Sequence, residues 1–216
     1  MSEEHIYDPS LFFSPRSFAA ALEIAITAND TTVERRNRVE TPYFVDIINE
    51  HIKLTEHSRV MDFGCGPGRI SKEILTRYAP KVYGVDFSPP MRAFAAANAA
   101  HPNFLTCAPQ MVGDLPPVDA ILCIWVLQHI PHPTGTIEML RGRLKPNGRI
   151  FVANAWKQIL PVKGNRWLVM EQDNVLEIMR TNFKQVAFGD HFDPDKTSPG
   201  LEKHGWWGVF ESHLAL

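Results

Sequence analysis

Two carboxylates set against glycines carry the clearest chemistry in this 216-residue chain. Asp62 ends the apolar run Val60-Met61-Asp62-Phe63 and is followed by Gly64-Cys65-Gly66-Pro67-Gly68-Arg69. Glycines at such a turn let the backbone approach a ligand closely. A G-x-G-x-x-G turn between strand and helix would suggest a dinucleotide, but Arg69 occupies the third glycine position. A carboxylate at Asp62 would repel a pyrophosphate, whereas it suits a positive amino group. Asp86 ends a second apolar run, 22 residues after Gly64. An acid placed there meets ribose hydroxyls in Rossmann-like units. A ligand with a ribose, an amine and no pyrophosphate fits S-adenosylmethionine. A third group lies in Ile124-Trp125-Val126-Leu127-Gln128-His129. His129 titrates near neutral pH and could take a proton from an O–H or N–H. The face of Trp125 could attract a cation, and Trp125 could equally be core or wall.

The elements that would position these groups follow from the residue pattern. Ser14-Pro15 reads as an N-cap and first-turn proline opening a helix to about Thr27, with a break over Asn29 to Thr32. Thr41-Pro42 repeats the signal, ahead of Phe44, Val45, Ile47, Ile48 and Ile52 at helical spacing. Short strands are expected at Arg59–Phe63, Lys81–Asp86, Asn103–Cys107, Val118–Trp125 and Arg149–Asn154. Helices are expected at Arg69–Tyr78, about Pro90–Ala99 and about Thr134–Leu144, with a turn at Lys145-Pro146-Asn147-Gly148. Asp173 can cap a helix to Arg180, and Phe183–Phe188 and Gly205–Ser212 read as late strands. Strands alternating with helices predict an α/β, doubly wound, mostly parallel sheet. Ligands of such sheets bind beyond the C-terminal strand ends, near the switch point.

Across about residues 55–155 the chain resembles the class I S-adenosylmethionine-dependent methyltransferases of the small-molecule type. The resemblance rests on Asp62-Phe63-Gly64-Cys65-Gly66-Pro67-Gly68, on Val85-Asp86-Phe87-Ser88-Pro89 with Met91, on Val118-Asp119-Ala120-Ile121 leading to Leu127-Gln128-His129, and on Leu144-Lys145-Pro146-Asn147-Gly148-Arg149. It implies a seven-stranded sheet of order 3-2-1-4-5-7-6 with the last strand antiparallel. It also implies S-adenosyl-L-methionine as cofactor. Asp62, Gly64, Cys65, Gly66 and Gly68 would meet its methionine part, Asp86 the ribose, and Phe87 and Met91 the adenine. Trp125 would stand near the sulfonium. An adenine-edge acid after strand three is absent, and Ala108, Pro109 or Gln110 would stand in its place. Ser88-Pro89-Pro90 also resembles the Pro-Pro box of enzymes that methylate amino groups of DNA bases. That box follows the fourth strand, whereas this one follows the second, where prolines open a helix.

The expected organisation is one domain over 1–216: a helical lid segment (1–40), a cofactor-binding core (41–155), and a substrate-side insert with the last two strands (156–216). The lid aromatics Tyr7, Phe12, Phe13 and Phe18 could line a cleft and exclude water. Arg35, Arg36 and Arg38, beside Glu34 and Glu40, read as a solvated, paired face. One of them could instead meet a carboxylate. Trp156–Trp167 reads as a loop able to reach an acceptor. His129 is the candidate base, and no metal set is expected. His129 and His132 lack a completing carboxylate, and Asp190, Asp193 and Asp195 lack a calcium loop's spacing. The expected reaction is methyl transfer to O, N or S of a small molecule, with a protein substrate or a non-catalytic partner subunit as alternatives. A net charge of −2 without a basic block argues against nucleic acid. No apolar run is long enough for a membrane span, and the polar N-terminus is unlike a signal peptide. Three scattered cysteines suit a reducing, cytoplasmic setting.

Overall fold

A seven-stranded sheet organises the computed structural model, which describes residues 6–26, 32–164, 166–170, 174–197 and 201–212. In chain order the strands are β1 (Arg59–Phe63), β2 (Lys81–Val85), β3 (Phe104–Cys107), β4 (Val118–Ile124), β5 (Leu144–Ala155), β6 (Gln158–Val162), β7 (Arg166–Met170), β8 (Phe183–Gly189) and β9 (Gly205–Ser212). The large sheet runs β3-β2-β1-β4-β5-β9-β8, with β9 antiparallel to both neighbours. With β6 and β7 set apart as their own hairpin, this is the order expected from the sequence.

Alternation along the strands divides the core between two faces. Met61, Ile121, Cys123, Ile150, Val152 and Trp206 pack on one side. Val60, Ala120, Leu122, Phe151 and Val209 pack on the other. Helices α1 (Phe18–Ala25), α2 (Val33–Ile52), α3 (Arg69–Tyr78), α4 (Pro89–Ala99), α5 (Pro133–Arg141), α6 (Val175–Asn182) and α7 (Leu201–His204) complete the fold. Gly68 serves the packing of α3 on α4, since a Cβ there would sit 3.0 Å from Ala95 Cα.

Three local expectations need correction. The helix expected to open at Thr41-Pro42 begins two turns earlier, where the Thr32 hydroxyl accepts from Arg35 N at 3.1 Å, and Pro42 lies inside α2. Proline there removes one helical hydrogen bond. Buried tertiary bonds of Glu40 and Thr41 and the apolar face of Phe44, Val45 and Ile48 hold the helix through it. The expected boundary between lid and core at 40/41 thus falls within one continuous helix. Ser17, not Ser14, caps the first helix, accepting from Ala20 N at 3.2 Å. Ser14 closes a 3-10 turn over Pro9–Phe13 by donating to Leu11 O. Thr27, Asn29–Asp30–Thr31 of the expected break, and Asp173 lie outside the described residues, and Asn174 caps α6.

The third correction concerns Trp156–Trp167, which is a β-hairpin and not a loop. The segment turns at Gly164, whose φ of 87° suits glycine. The N-terminal strap adds to this hairpin's edge: Asp8 N donates to Pro161 O, and Lys163 N to Ile6 O, both at 3.0 Å. Among the described residues no helix is long and apolar enough to cross a membrane.

Candidate active site

A cavity of about 1000 Å³ opens beyond the C-terminal ends of β1, β2 and β4. Asp62, the loop from Gly64 to Pro67, Asp86, Phe87, Met91, Trp125 and His129 all line it. The structure therefore brings together most of the residues singled out in the sequence. Gly68 and Ala108 are not on the wall. Gly68 packs between helices, and Pro109 takes the place expected for Ala108.

The glycine loop is shaped by its backbone. Gly64 and Gly66 have φ of 75° and 51°, conformations that side chains resist. A Cβ on Gly64 would also run into Val126. Asp86 braces this loop, accepting from Gly66 N and from Ser88 N at 2.9 Å each. Each carboxylate oxygen keeps a lone pair for a further donor. Ser88 caps α4 by accepting from Met91 N, so Ser-Pro-Pro is a helix start beside Asp86. Burial raises the Asp86 carboxyl above its usual range.

Asp62 is 3% exposed and has lost nearly all its solvation. That burial pushes its pKa up to about 6, against the lowering effects of the Ser71 hydroxyl, 2.6 Å away, and of Arg69. A carboxylate so desolvated at a cavity wall suits a cation that enters from the cavity.

The sequence pointed to the pairing in the charged cluster beside it but not to its burial. Arg36 and Glu40, read as a solvated face, are buried. Glu40 receives Arg36 Nε at 2.5 Å and Arg69 Nη2 at 2.9 Å, while Arg69 Nη1 donates to Thr41. The fold turns this stretch inward because α2 packs on α3, whose first residue is Arg69. Arg36 and Arg69 both reach the cavity wall. The i,i+4 pairing of Arg36 with Glu40, and a cation where a dinucleotide loop has glycine, were the available signals.

His129 is set by its neighbours. Its Nδ1 stands 2.6 Å from Ile159 O on β6, which can only accept, so the proton belongs on Nδ1. Gln128 Oε1 accepts from Ala155 N, which turns the Gln128 amide nitrogen toward His129 Nε2 at 3.4 Å. Nε2 therefore carries the lone pair. Burial lowers the imidazole pKa, keeping it neutral at pH 7. Aromatic rings roof it: Phe12 and Trp167 lie 5.7 and 5.4 Å from the His129 ring, and Phe12 lies 5.8 Å from Phe87. The strap and hairpin bring Phe12 and Trp167 there, a placement that depends on tertiary contacts.

Trp125 takes φ of 59° at the turn after β4, an outlier for a bulky side chain. It packs against Phe44 and Phe192. Its Nε1 has no hydrogen-bond partner among the described residues. Asp190 pairs with His191, and Asp193 with Lys196, so that loop is a solvated one. Among the described residues no group of three His, Cys, Asp or Glu side chains is placed to hold a metal.

Known proteins resemble the chain in sequence and in fold. Residues 61–152 match the family model described as a methyltransferase domain. The ubiquinone biosynthesis O-methyltransferase of Xylella fastidiosa (strain 9a5c) is 30% identical over 118 residues, covering 52% of this chain and 47% of that protein. The chain thus spans about half the length of the curated relatives it matches. Magnesium protoporphyrin IX methyltransferase (ChlM) from Synechocystis PCC 6803, with bound SAH, superposes with a TM-score of 0.66 at 16% identity, over 94% of this chain and 97% of that one. N-methyltransferase NodS from Bradyrhizobium japonicum WM9, in complex with S-adenosyl-l-homocysteine, gives 0.65 at 13% identity, over 91% and 99%. At such identities these two show a shared fold.

Proposed function

We propose that this chain, whose residues 61–152 are a methyltransferase domain of the class I S-adenosylmethionine-dependent type, methylates an O, N or S atom of a small molecule. The observation that carries the reading is a single cavity joining three things: a buried acid, a glycine loop braced by Asp86, and a neutral histidine under an aromatic roof.

S-adenosylmethionine supplies a methyl group on a positive sulfur, and the acceptor atom takes that methyl as the sulfur leaves as a neutral thioether. Asp62 would hold the amino group, and Asp86 the ribose hydroxyls. Arg36 and Arg69, which share Glu40 and reach the cavity wall, would balance the cofactor's carboxylate. Gly64 and Gly66 keep the loop free of side chains, so backbone can approach the ligand. Phe87, Met91 and Pro109 line the wall expected for the adenine. His129 Nε2 accepts the proton that an O–H or N–H acceptor must lose. The strap and hairpin exclude water from the reacting atoms.

A concave cavity of this size, lined largely by apolar side chains, favours a small acceptor over a protein side chain. The test is incubation of pure protein with methyl-labelled S-adenosylmethionine and fractionated metabolite extract. Label in a low-mass product supports the reading. Label only in protein would favour the peptide alternative.

A further inference from the structure

We propose that Gln128 and His129 act as one donor–acceptor pair that admits a hydroxyl as the methyl acceptor and rejects amines and thiols. This rests on the methyl-transfer reading above and names the acceptor atom.

Both side chains line the cavity from the 3-10 turn after β4. That turn adjoins the glycine loop, since a Cβ on Gly64 would run into Val126. Gln128 is 5% exposed and is fixed by the end of β5. Its backbone N donates to Asn154 Oδ1, its Oε1 accepts from Ala155 N, and Asn154 Nδ2 donates to Ala155 O, all at 3.0 Å. The amide oxygen is thus committed. Gln128 Nε2 carries two N–H donors, and among the described residues its one partner is His129 Nε2 at 3.4 Å. A buried N–H without an acceptor is costly unless a ligand uses it.

The imidazole is fixed from the other side. His129 Nδ1 donates to Ile159 O at 2.6 Å, which leaves a lone pair on Nε2. Gln158 holds β6 in place by donating to Ile130 O and Pro131 O. An N–H donor and a lone pair therefore stand side by side. Their 3.4 Å separation exceeds the range of about 2.7–3.2 Å for a good hydrogen bond. One oxygen about 2.8 Å from both nitrogens exchanges that long contact for two short bonds.

Counting donors and lone pairs selects the group. A hydroxyl has one O–H and two lone pairs. The O–H goes to His129 Nε2, one lone pair accepts from Gln128 Nε2, and the other faces the methyl. A neutral primary amine has one lone pair and two N–H groups. With the lone pair on the methyl and one N–H on His129, its second N–H meets the Gln128 N–H. A secondary amine leaves the Gln128 N–H unpaired, and a thiol sulfur is a weak acceptor. In the reaction the O–H proton passes to His129 Nε2. An oxygen lone pair forms the bond to the methyl carbon, and the carbon–sulfur bond breaks toward sulfur. The Gln128 N–H stabilises the negative charge that builds on oxygen as the proton leaves.

The probe is S-adenosylmethionine labelled at the methyl carbon with an NMR-active isotope, incubated with pure protein and fractionated metabolite extract. Proton–carbon NMR separates O–CH3, N–CH3 and S–CH3 products whatever molecule bears them. Label mainly on oxygen is the expected result. Label mainly on nitrogen or sulfur would overturn the inference while the methyl-transfer reading stands. Absence of transfer, or of cofactor binding, overturns both. Gln128→Glu keeps the acceptor for Ala155 N and replaces the donor with a carboxylate facing His129. It should lower the initial rate of O-methylation at least tenfold and move the acid limb of the rate to higher pH, because the carboxylate favours the imidazolium. Gln128→Met, which is uncharged, should lose rate likewise without that upward move and give a larger N–CH3 share. Both variants should bind S-adenosylhomocysteine as the parent does. O-methylation at the parent's rate in Gln128→Met would overturn the inference, as would an acid limb that does not respond to Gln128→Glu.

Discussion

Replacing Asp62 by Asn should make the ligand-free protein more stable while weakening its hold on the cofactor. Asp62 is buried with its pKa raised from 3.8 to about 6. A folded-state pKa above the unfolded one means the native state binds protons more tightly. Stability from this group is complete below the unfolded value and is lost as pH rises through about 6. At pH 7.5 the loss is about 3 kcal/mol, from about two pK units at roughly 1.4 kcal/mol each. Asn keeps an acceptor for the Ser71 hydroxyl, and the raised pKa already includes the attraction to Arg69. The expected gain is therefore up to about 3 kcal/mol, or roughly 6–12 °C in Tm for a chain of this size. By the same linkage the gain should shrink to about half at pH 5, where the folded-state carboxyl is mostly protonated. Thermal unfolding of both proteins at the two pH values measures this directly. A variant no more stable at pH 7.5, or a gain independent of pH, would refute the claim that Asp62 is held desolvated for a ligand. The cofactor's affinity for the parent protein should correspondingly fall as pH drops below about 6.

Asp86→Ala should weaken S-adenosylmethionine binding by roughly 1–3 kcal/mol, because it removes an acceptor and leaves Gly66 N and Ser88 N unpaired. Titration calorimetry reads this. Glu40→Gln should cost about 3–5 kcal/mol in urea unfolding, since it removes the negative charge that two buried guanidinium groups share. If the acceptor is an O–H, His129→Ala should lower kcat by about 10²–10⁴-fold. The parent's kcat should fall with acidification only below the ordinary histidine range, because burial lowers the His129 pKa. Loss of that acid limb in the variant would assign it to His129.

What the sequence made legible was local. Asp62, Gly64, Gly66 and Asp86 follow strands whose apolar runs are read directly, so their positions at strand ends come with the strands. Ser88-Pro89-Pro90 could be placed because its turn chemistry is a helix cap wherever it occurs. The inward turn of Arg36 and Glu40 was not legible. Charged residues at helical spacing look solvated until a neighbouring helix supplies Arg69, and that contact spans 29 residues of chain. Pro42 misled for the same reason, since local preference gave way to packing. The hairpin at Gln158–Met170 holds His129 in its tautomer through a backbone carbonyl, and no side-chain pattern announces which carbonyl that will be.

The most direct measurement of the central claim is titration of the pure protein with S-adenosylmethionine and S-adenosylhomocysteine. One binding site per chain for each, weakened by Asp86→Ala and by protonation of Asp62 at low pH, is the predicted result. No detectable heat or displacement with either ligand at millimolar concentration would contradict it.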